Sequence, residues 1–176
     1  MLTVRPARWP EDEALLERLD ISFTTERIYR VVREAFAFRV VEERIEPPLR
    51  KDYGPVSALG ISGTEGAVVA ARARATAGLA VGRYERWNRR FVVEHLYVDA
   101  AERGKGVGRT LMEHLEGQAR EAGARCLWVE TQNVNYPAAQ FYLRLGFRLC
   151  GLDESLYDPS GPAAGEVALF FVRDLE

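Results

Sequence analysis

The stretch Glu102–Thr110, ERGKGVGRT, sets Gly104, Gly106 and Gly108 two residues apart among Arg103, Lys105 and Arg109. Glycines accept backbone conformations that turn successive N–H groups to one side, and the cations favour a negative ligand, so the loop suits a phosphate. Two well-known phosphate loops do not fit it. A P-loop, G-x-x-x-x-G-K-[ST], counted back from Thr110, needs glycine where Arg103 stands and lysine where Arg109 stands. The dinucleotide fingerprint G-x-G-x-x-G needs glycine where Arg109 stands. ATP hydrolysis and NAD binding are therefore unsupported. A strand ending at Val98, this loop, and a helix from Val107 would instead offer a helix N-terminus to a pyrophosphate. A tight turn that binds nothing is the plain alternative.

The elements around the loop can be read from apolar periodicity. Leu2–Arg5 reads as a strand, and WPEDEALLERLD as a helix with Pro10 and the acids at its front. Between Arg27 and Ile45, Phe36, Phe38 and Val40 alternate while Ile28, Val31 and Val32 have a helical spacing, and strands are favoured. EPPLRKDYGP reads as punctuation and SALGISGTEG as a surface loop. AVVAARA, LAVGRYERW and FVVEHLYV, with turns near Thr76–Gly78 and Asn88–Arg90, predict a three-stranded antiparallel meander. Past the loop, Val107, Leu111, Leu115, Ala119 and Ala122 form one helical stripe, and Gly123 stands where the helix stops. RCLWVE is a strand, YPAAQFYLRLG a helix, FRLCG a strand, DESLYDPSGPAAG a loop and EVALFFVRDL a last strand.

The 176 residues suit one domain, 1–176, with 47% hydrophobic and 28% charged residues, an ordinary folded composition. A net charge of -2 argues against nucleic acid as a partner. Lys51 and Lys105 are the only lysines, so positive charge is carried almost wholly by arginine forks. Cys126 and Cys150 fit neither a disulfide framework nor a metal spacing, and are expected as free buried thiols; His95 and His114 add no metal pattern. MLTVRPARWP lacks an apolar signal core and no stretch is long enough for a membrane span, which points to a cytoplasmic protein.

YVDAAERGKGVGRTLMEHL resembles the acyl-CoA-binding segment of the GNAT N-acetyltransferases, [QR]-x-x-G-x-[GA] between strand and helix, with Arg103, Gly106 and Gly108 in the motif positions. Asn135, Ala138, Tyr142, Gly146 and Phe147 match the second segment of that superfamily, N-x-x-A-x-x-x-Y followed by Gly-Phe. The resemblance implies an α/β fold: a mixed, mostly antiparallel, twisted sheet, splayed between the strand ending at Val98 and the strand Arg125–Glu130, with helices on both faces. It implies acetyl-CoA as acetyl donor and direct attack by an amine. Main chain of Leu96, Tyr97 and Val98 would pair with the pantetheine arm. Arg103, Gly104, Lys105, Gly106, Val107, Gly108, Arg109 and Thr110 would wrap the pyrophosphate, and Asn135 and Tyr142 would also meet the cofactor. LRKDYG, VVREAF, VEHLYV, VETQNVN and GLD are similar to landmarks of the streptothricin acetyltransferases, while the loop Ser57–Gly66 departs from that group's acidic stretch.

An alkylamine with a pKa near 10.4 is neutral at pH 7 only at a cost of about 4–5 kcal/mol, so a proton acceptor is worth seeking. Glu94 precedes the loop on an expected face with Val92, Leu96 and Val98, where burial would raise a carboxylate's pKa. A structural ion pair is the alternative. Tyr142 holds the superfamily's usual acid position, donating to the CoA thiolate, against an ordinary packing role. Asn135 could equally be a helix N-cap. Glu130, Asp153 and Glu154 stay open between substrate contact and ion pair. The leading acceptor is a small-molecule amine, capped by loops near Arg50 and Asp153; a peptide N-terminus and a non-catalytic acyl-CoA sensor are the rivals. The resemblance also makes a homodimer the default assembly.

Overall fold

The computed structural model describes residues 1–64, 66–72 and 75–175. These divide into two compact units: Met1–Phe23 with Lys51–Leu127 and the chain from Asp174 onward, and Thr24–Arg50 with Trp128–Arg173.

The first unit is built on antiparallel strands in the order β1 (Leu2–Pro6), β4 (Val68–Arg72), β5 (Ala75–Glu85) and β6 (Arg90–Val98). The meander is as the alternation predicts, with Arg89 in a left-handed conformation (φ 54°) at the tight turn into β6. The turn expected at Thr76–Gly78 is not there: those residues lie inside β5, and the β4–β5 connection falls at 73–74, outside the described residues. Gly78 answers to close packing, since a Cβ there would stand 2.6 Å from the Tyr97 carbonyl oxygen and 3.1 Å from Leu111 Cδ1.

Pairing identifies the two sheet faces. Gly78, Ala80 and Gly82 alternate toward α2 (Val107–Glu121), which packs on β5 and β6 through buried Val107, Leu111, Met112, Leu115 and Ala119. Ala122 ends the expected stripe but is exposed at the C-cap, and Gly123 (φ 73°) terminates the helix as its position suggested. Leu79 and Val81 point the opposite way, into a cluster with Leu16, Leu19, Ile21, Val56 and Ile61, against which Tyr53 and Tyr97 pack. The first helix is short: α1 spans only Glu13–Leu16, fastened by Asp12, whose carboxylate accepts from Arg5 Nη1 and Nη2, both at 2.6 Å, and from the Arg8 N–H at 2.7 Å.

In the second unit, β7 (Cys126–Gln132, begun in the first), β9 (Ala168–Asp174) and β8 (Arg148–Asp153) are neighbours in that order, and β2 (Phe23–Arg33) with β3 (Phe38–Lys51) forms a separate ribbon. The mixed signal at Arg27–Ile45 thus resolves as strands. Pro47 and Pro48, which read as punctuation, lie within β3; the free edge of a two-stranded ribbon accommodates one of the two missing N–H groups without loss of a ladder bond. Buried Asn133 ties two segments together: its side-chain amide donates to Tyr29 O at 2.8 Å and its Oδ1 accepts from Val167 N–H at 2.8 Å. Cys150, expected in the core, is exposed on β8, where its thiol donates to the Phe170 carbonyl; Cys126 is buried, and neither forms a disulfide. The helix α3 (Tyr136–Arg144) carries Pro137 in its first turn and ends before Gly146 (φ 83°).

Candidate active site

The glycine loop is held from behind. β6 ends at Val98, and the Asp99 carboxylate accepts from the Ala101 N–H at 2.9 Å and the Asp20 N–H at 3.0 Å, setting the 3-10 turn Ala100–Glu102. Arg103 spends its guanidinium on main-chain carbonyls: Nε to Val98 at 3.1 Å, Nη1 to Ser22 at 2.6 Å, Nη2 to Asp20 at 3.4 Å. Lys105 Nζ lies 3.0 Å from Glu102 Oε1, and Arg72 Nε lies 3.0 Å from Oε2. Lys105 first, with Arg72, holds the Glu102 carboxyl below its ordinary range. Arg103 therefore braces the loop against the end of β6 and the Asp20–Ser22 main chain.

Gly104 (φ 75°) and Gly106 (φ 88°) supply the left-handed turns that only glycine adopts without strain, and a Cβ on either would meet nothing within 4 Å. Gly106 is the N-cap of α2; Thr110 N–H closes the first helical bond onto the Gly106 carbonyl at 3.0 Å, reinforced by Thr110 Oγ1 at 3.2 Å. Gly108 lies in the first turn of α2 rather than in the loop. The leading N–H groups of α2, which have no intrahelical partner, lie at the positive end of the helix dipole. That arrangement has the form of an anion site.

Glu94 does not share a face with Leu96 and Val98 as strict alternation would have it. Val81 pairs with His95 but Gly82 pairs with Val93, so Glu94 is the extra residue of a β-bulge and alternation breaks there. Leu96 and Val98, opposite Ala80 and Gly78, belong to the α2 face. Glu94 Oε1 accepts from Arg83 Nε at 2.8 Å, and Arg83 also reaches Glu85 at 3.3 Å. The structural ion pair is thus present, with Arg83 and Glu94 side chains 55% and 29% exposed.

In the second unit Tyr142 is 5% exposed, its ring 5.7 Å from Phe147 and 6.1 Å from Phe171. Asn135 is an N-cap: its Oδ1 accepts from Ala138 N–H at 3.1 Å. Glu130 accepts the Tyr157 phenol, Glu154 pairs with Arg33, and Ser155 holds the Asp153 carboxyl below its ordinary range through side-chain and main-chain bonds.

Residues 26–147 match the Acetyltransferase (GNAT) family. The chain belongs to that family. It is an acetyl-CoA-dependent N-acetyltransferase with the GNAT fold, a mixed, mostly antiparallel sheet with helices. The GNAT chain is 40% identical to a streptothricin acetyltransferase of Streptomyces lavendulae over 174 residues, covering 94% of this chain and 91% of the relative. Among solved structures it is similar to nourseothricin acetyltransferase, with a TM-score of 0.90 and 38% identity over 99% of each chain. A Bacillus anthracis str. Ames protein solved in complex with acetyl coenzyme A shares the fold, with a TM-score of 0.82 and 23% identity over 99% of this chain and 100% of that one. No helix among the described residues is long and apolar enough to cross a membrane.

Proposed function

We propose that the acceptor of this acetyltransferase is a primary amine of a streptothricin-class antibiotic, and that the enzyme confers resistance by capping that amine. The observation that carries the reading is 40% identity to a streptothricin acetyltransferase over 94% of the chain. The charge balance suits a cationic acceptor: the chain is net -2, and Asp153, held below its ordinary range by Ser155, stays ionised at neutral pH.

In this reading residues 1–176 act as one domain, since the family match at 26–147 draws on both units. Main chain of Leu96, Tyr97 and Val98 takes the pantetheine arm, and the segment Arg103–Thr110 takes the pyrophosphate on its N–H groups. Asn135 meets the pantetheine through its amide. Glu94 draws the substrate cation to β6, and the Tyr142 phenol donates to the sulfur as the C–S bond breaks. Acetyl-CoA supplies the activated acyl group, and no acyl-enzyme is formed. We place the enzyme in the cytoplasm and as a homodimer, for which sedimentation should read twice the 19.8 kDa chain.

The test is turnover. Purified protein with acetyl-CoA is offered streptothricin, a simple alkyl diamine and an N-terminal peptide, while free CoA thiol is followed. Turnover of streptothricin at least about 100-fold more efficient than of the peptide is expected, the difference of about 3 kcal/mol being what a matched cationic site supplies. Preference for the peptide would overturn the assignment, and acetyl-CoA binding without turnover of any amine would favour the sensor.

A further inference from the structure

Resting on the reading above, in which the pantetheine arm runs back along β6 from the loop, we propose that His95 is the group that takes the proton from the attacking amine. The arm starts at the pyrophosphate end, beyond Val98, and ends in the thioester toward the beginning of β6. At about 3.3 Å per strand residue, the arm passes Val98, Tyr97 and Leu96 and reaches His95 after about 10 Å. The first titratable side chains beyond the arm's main-chain partners are therefore His95 and, one residue further, Glu94.

The bulge brings these two to one face. His95 lies opposite Val81, and Arg83, two residues along β5 on the same side as Val81, holds Glu94. The two candidates differ in what surrounds them. Glu94 is occupied by a guanidinium whose protonated form that pairing favours. His95 is half-buried and stacks on Tyr97, ring centroids 5.9 Å apart at 25°. Tyr97 leads in turn to Tyr53, at 6.1 Å, with Lys51 Nζ 5.5 Å from the Tyr53 ring. Burial lowers the His95 pKa, and the Glu94 charge opposes this less strongly. The imidazole is thus neutral at pH 7 and can accept, while Glu94 and Arg83 are the charges that flank it.

The step balances simply. The neutral amine attacks the thioester carbonyl; as the C–N bond forms, its N–H proton passes to the imidazole. The C–S bond breaks, its electron pair leaves on sulfur, and the thiolate takes a proton from Tyr142. Imidazolium loses its proton to water and the tyrosinate regains one.

The experiment is the pH dependence of kcat/KM for streptothricin in the wild type and in His95→Gln, with acetyl-CoA affinity measured by calorimetry on both. Below the amine pKa, a wild type that needs neutral amine and neutral imidazole shows a slope of about two at acid pH, breaking to about one above the His95 ionisation. His95→Gln should lose about 100-fold at pH 7, show a slope of about one throughout, and keep acetyl-CoA affinity within about threefold. An unchanged break in the variant, or a loss under about threefold, would overturn the role. In the acetyl-CoA complex of the wild type, the imidazole resonances of the chain's two histidines, assigned by His114→Gln, should place His95 below the ordinary value of about 6.5. A value above it would also overturn the proposal, whether or not His95→Gln folds. Failure of the wild type to turn over streptothricin would instead count against the acceptor assignment, and the same profile can then be read on whichever amine is turned over.

Discussion

Glu94 and His95 are consecutive residues of β6, yet both serve the face of Val81 and Arg83, because the register with β5 slips by one residue between them. In a regular strand neighbours point apart, so one of the two would face α2. The bulge thus puts a carboxylate and an imidazole on one face where alternation would part them, midway along β6.

The ion pair that holds Glu94 is substantially solvated, and surface pairs contribute little to stability. Glu94→Gln should change unfolding free energy by less than about 1 kcal/mol in a denaturant titration. If the carboxylate draws the substrate cation, the same variant raises KM for streptothricin about tenfold while leaving acetyl-CoA affinity unchanged. An unaltered KM would remove Glu94 from substrate binding.

Tyr142→Phe retains the ring packed against Phe147 and Phe171 and removes only the hydroxyl. Turnover should fall about 10–100-fold with acetyl-CoA affinity within about threefold. Equal loss of both would show that the phenol serves binding. Tyr142→Ala, which empties a buried site, should cost about 3–5 kcal/mol of stability and be unusable for kinetics.

Gly106→Val forces a β-branched residue into φ 88°. The strain, about 1–2 kcal/mol or more, should displace the N-terminus of α2 and weaken acetyl-CoA binding at least about tenfold by calorimetry. Unchanged affinity would show that the loop does not bind the cofactor.

Arg103→Lys keeps the charge and loses the fork that serves Val98, Ser22 and Asp20. If Arg103 is a brace, the lysine variant should lose about 1–3 kcal/mol of stability and bind acetyl-CoA more weakly. If it contacted phosphate as a bare charge, lysine would preserve affinity.

Asp12 makes the first unit sensitive to acid. Bonding to Arg5 lowers its folded pKa, opposed by burial and aided by the Arg8 N–H. A carboxyl with a depressed folded pKa stabilises above its unfolded value, about 3.9, and that stability is lost as pH falls toward the folded value. Urea midpoints should therefore drop below about pH 4 in the wild type. Asp12→Ala should be about 2–3 kcal/mol less stable at pH 7 and lose less on acidification, and parallel pH profiles would contradict the assignment.

The glycine loop, the amphipathic helix behind it and the Asn135–Phe147 segment were legible because each rests on local rules: a left-handed glycine, a helical stripe, a capped helix. The β2–β3 ribbon was partly legible, since its alternation is diluted by exposed apolar residues such as Phe38 and Val41, while Phe36 lies in the turn between the strands. Thr76–Gly78 misled because Gly is used both for turning and for close approach, and only the Tyr97 carbonyl and Leu111 beside Gly78 tell which.

The sequence by itself determined the glycine loop, the helix behind it and the family, because glycine φ preferences and helix start signals act over a few residues. The tertiary structure alone decided where the charges go. Arg103 turns to carbonyls about eighty residues away in the chain, Glu94 is claimed by Arg83 on β5, and a one-residue slip of register sets His95 beside it. Such pairings depend on which strands meet and in what register, and neither is written in the local spacing of residues.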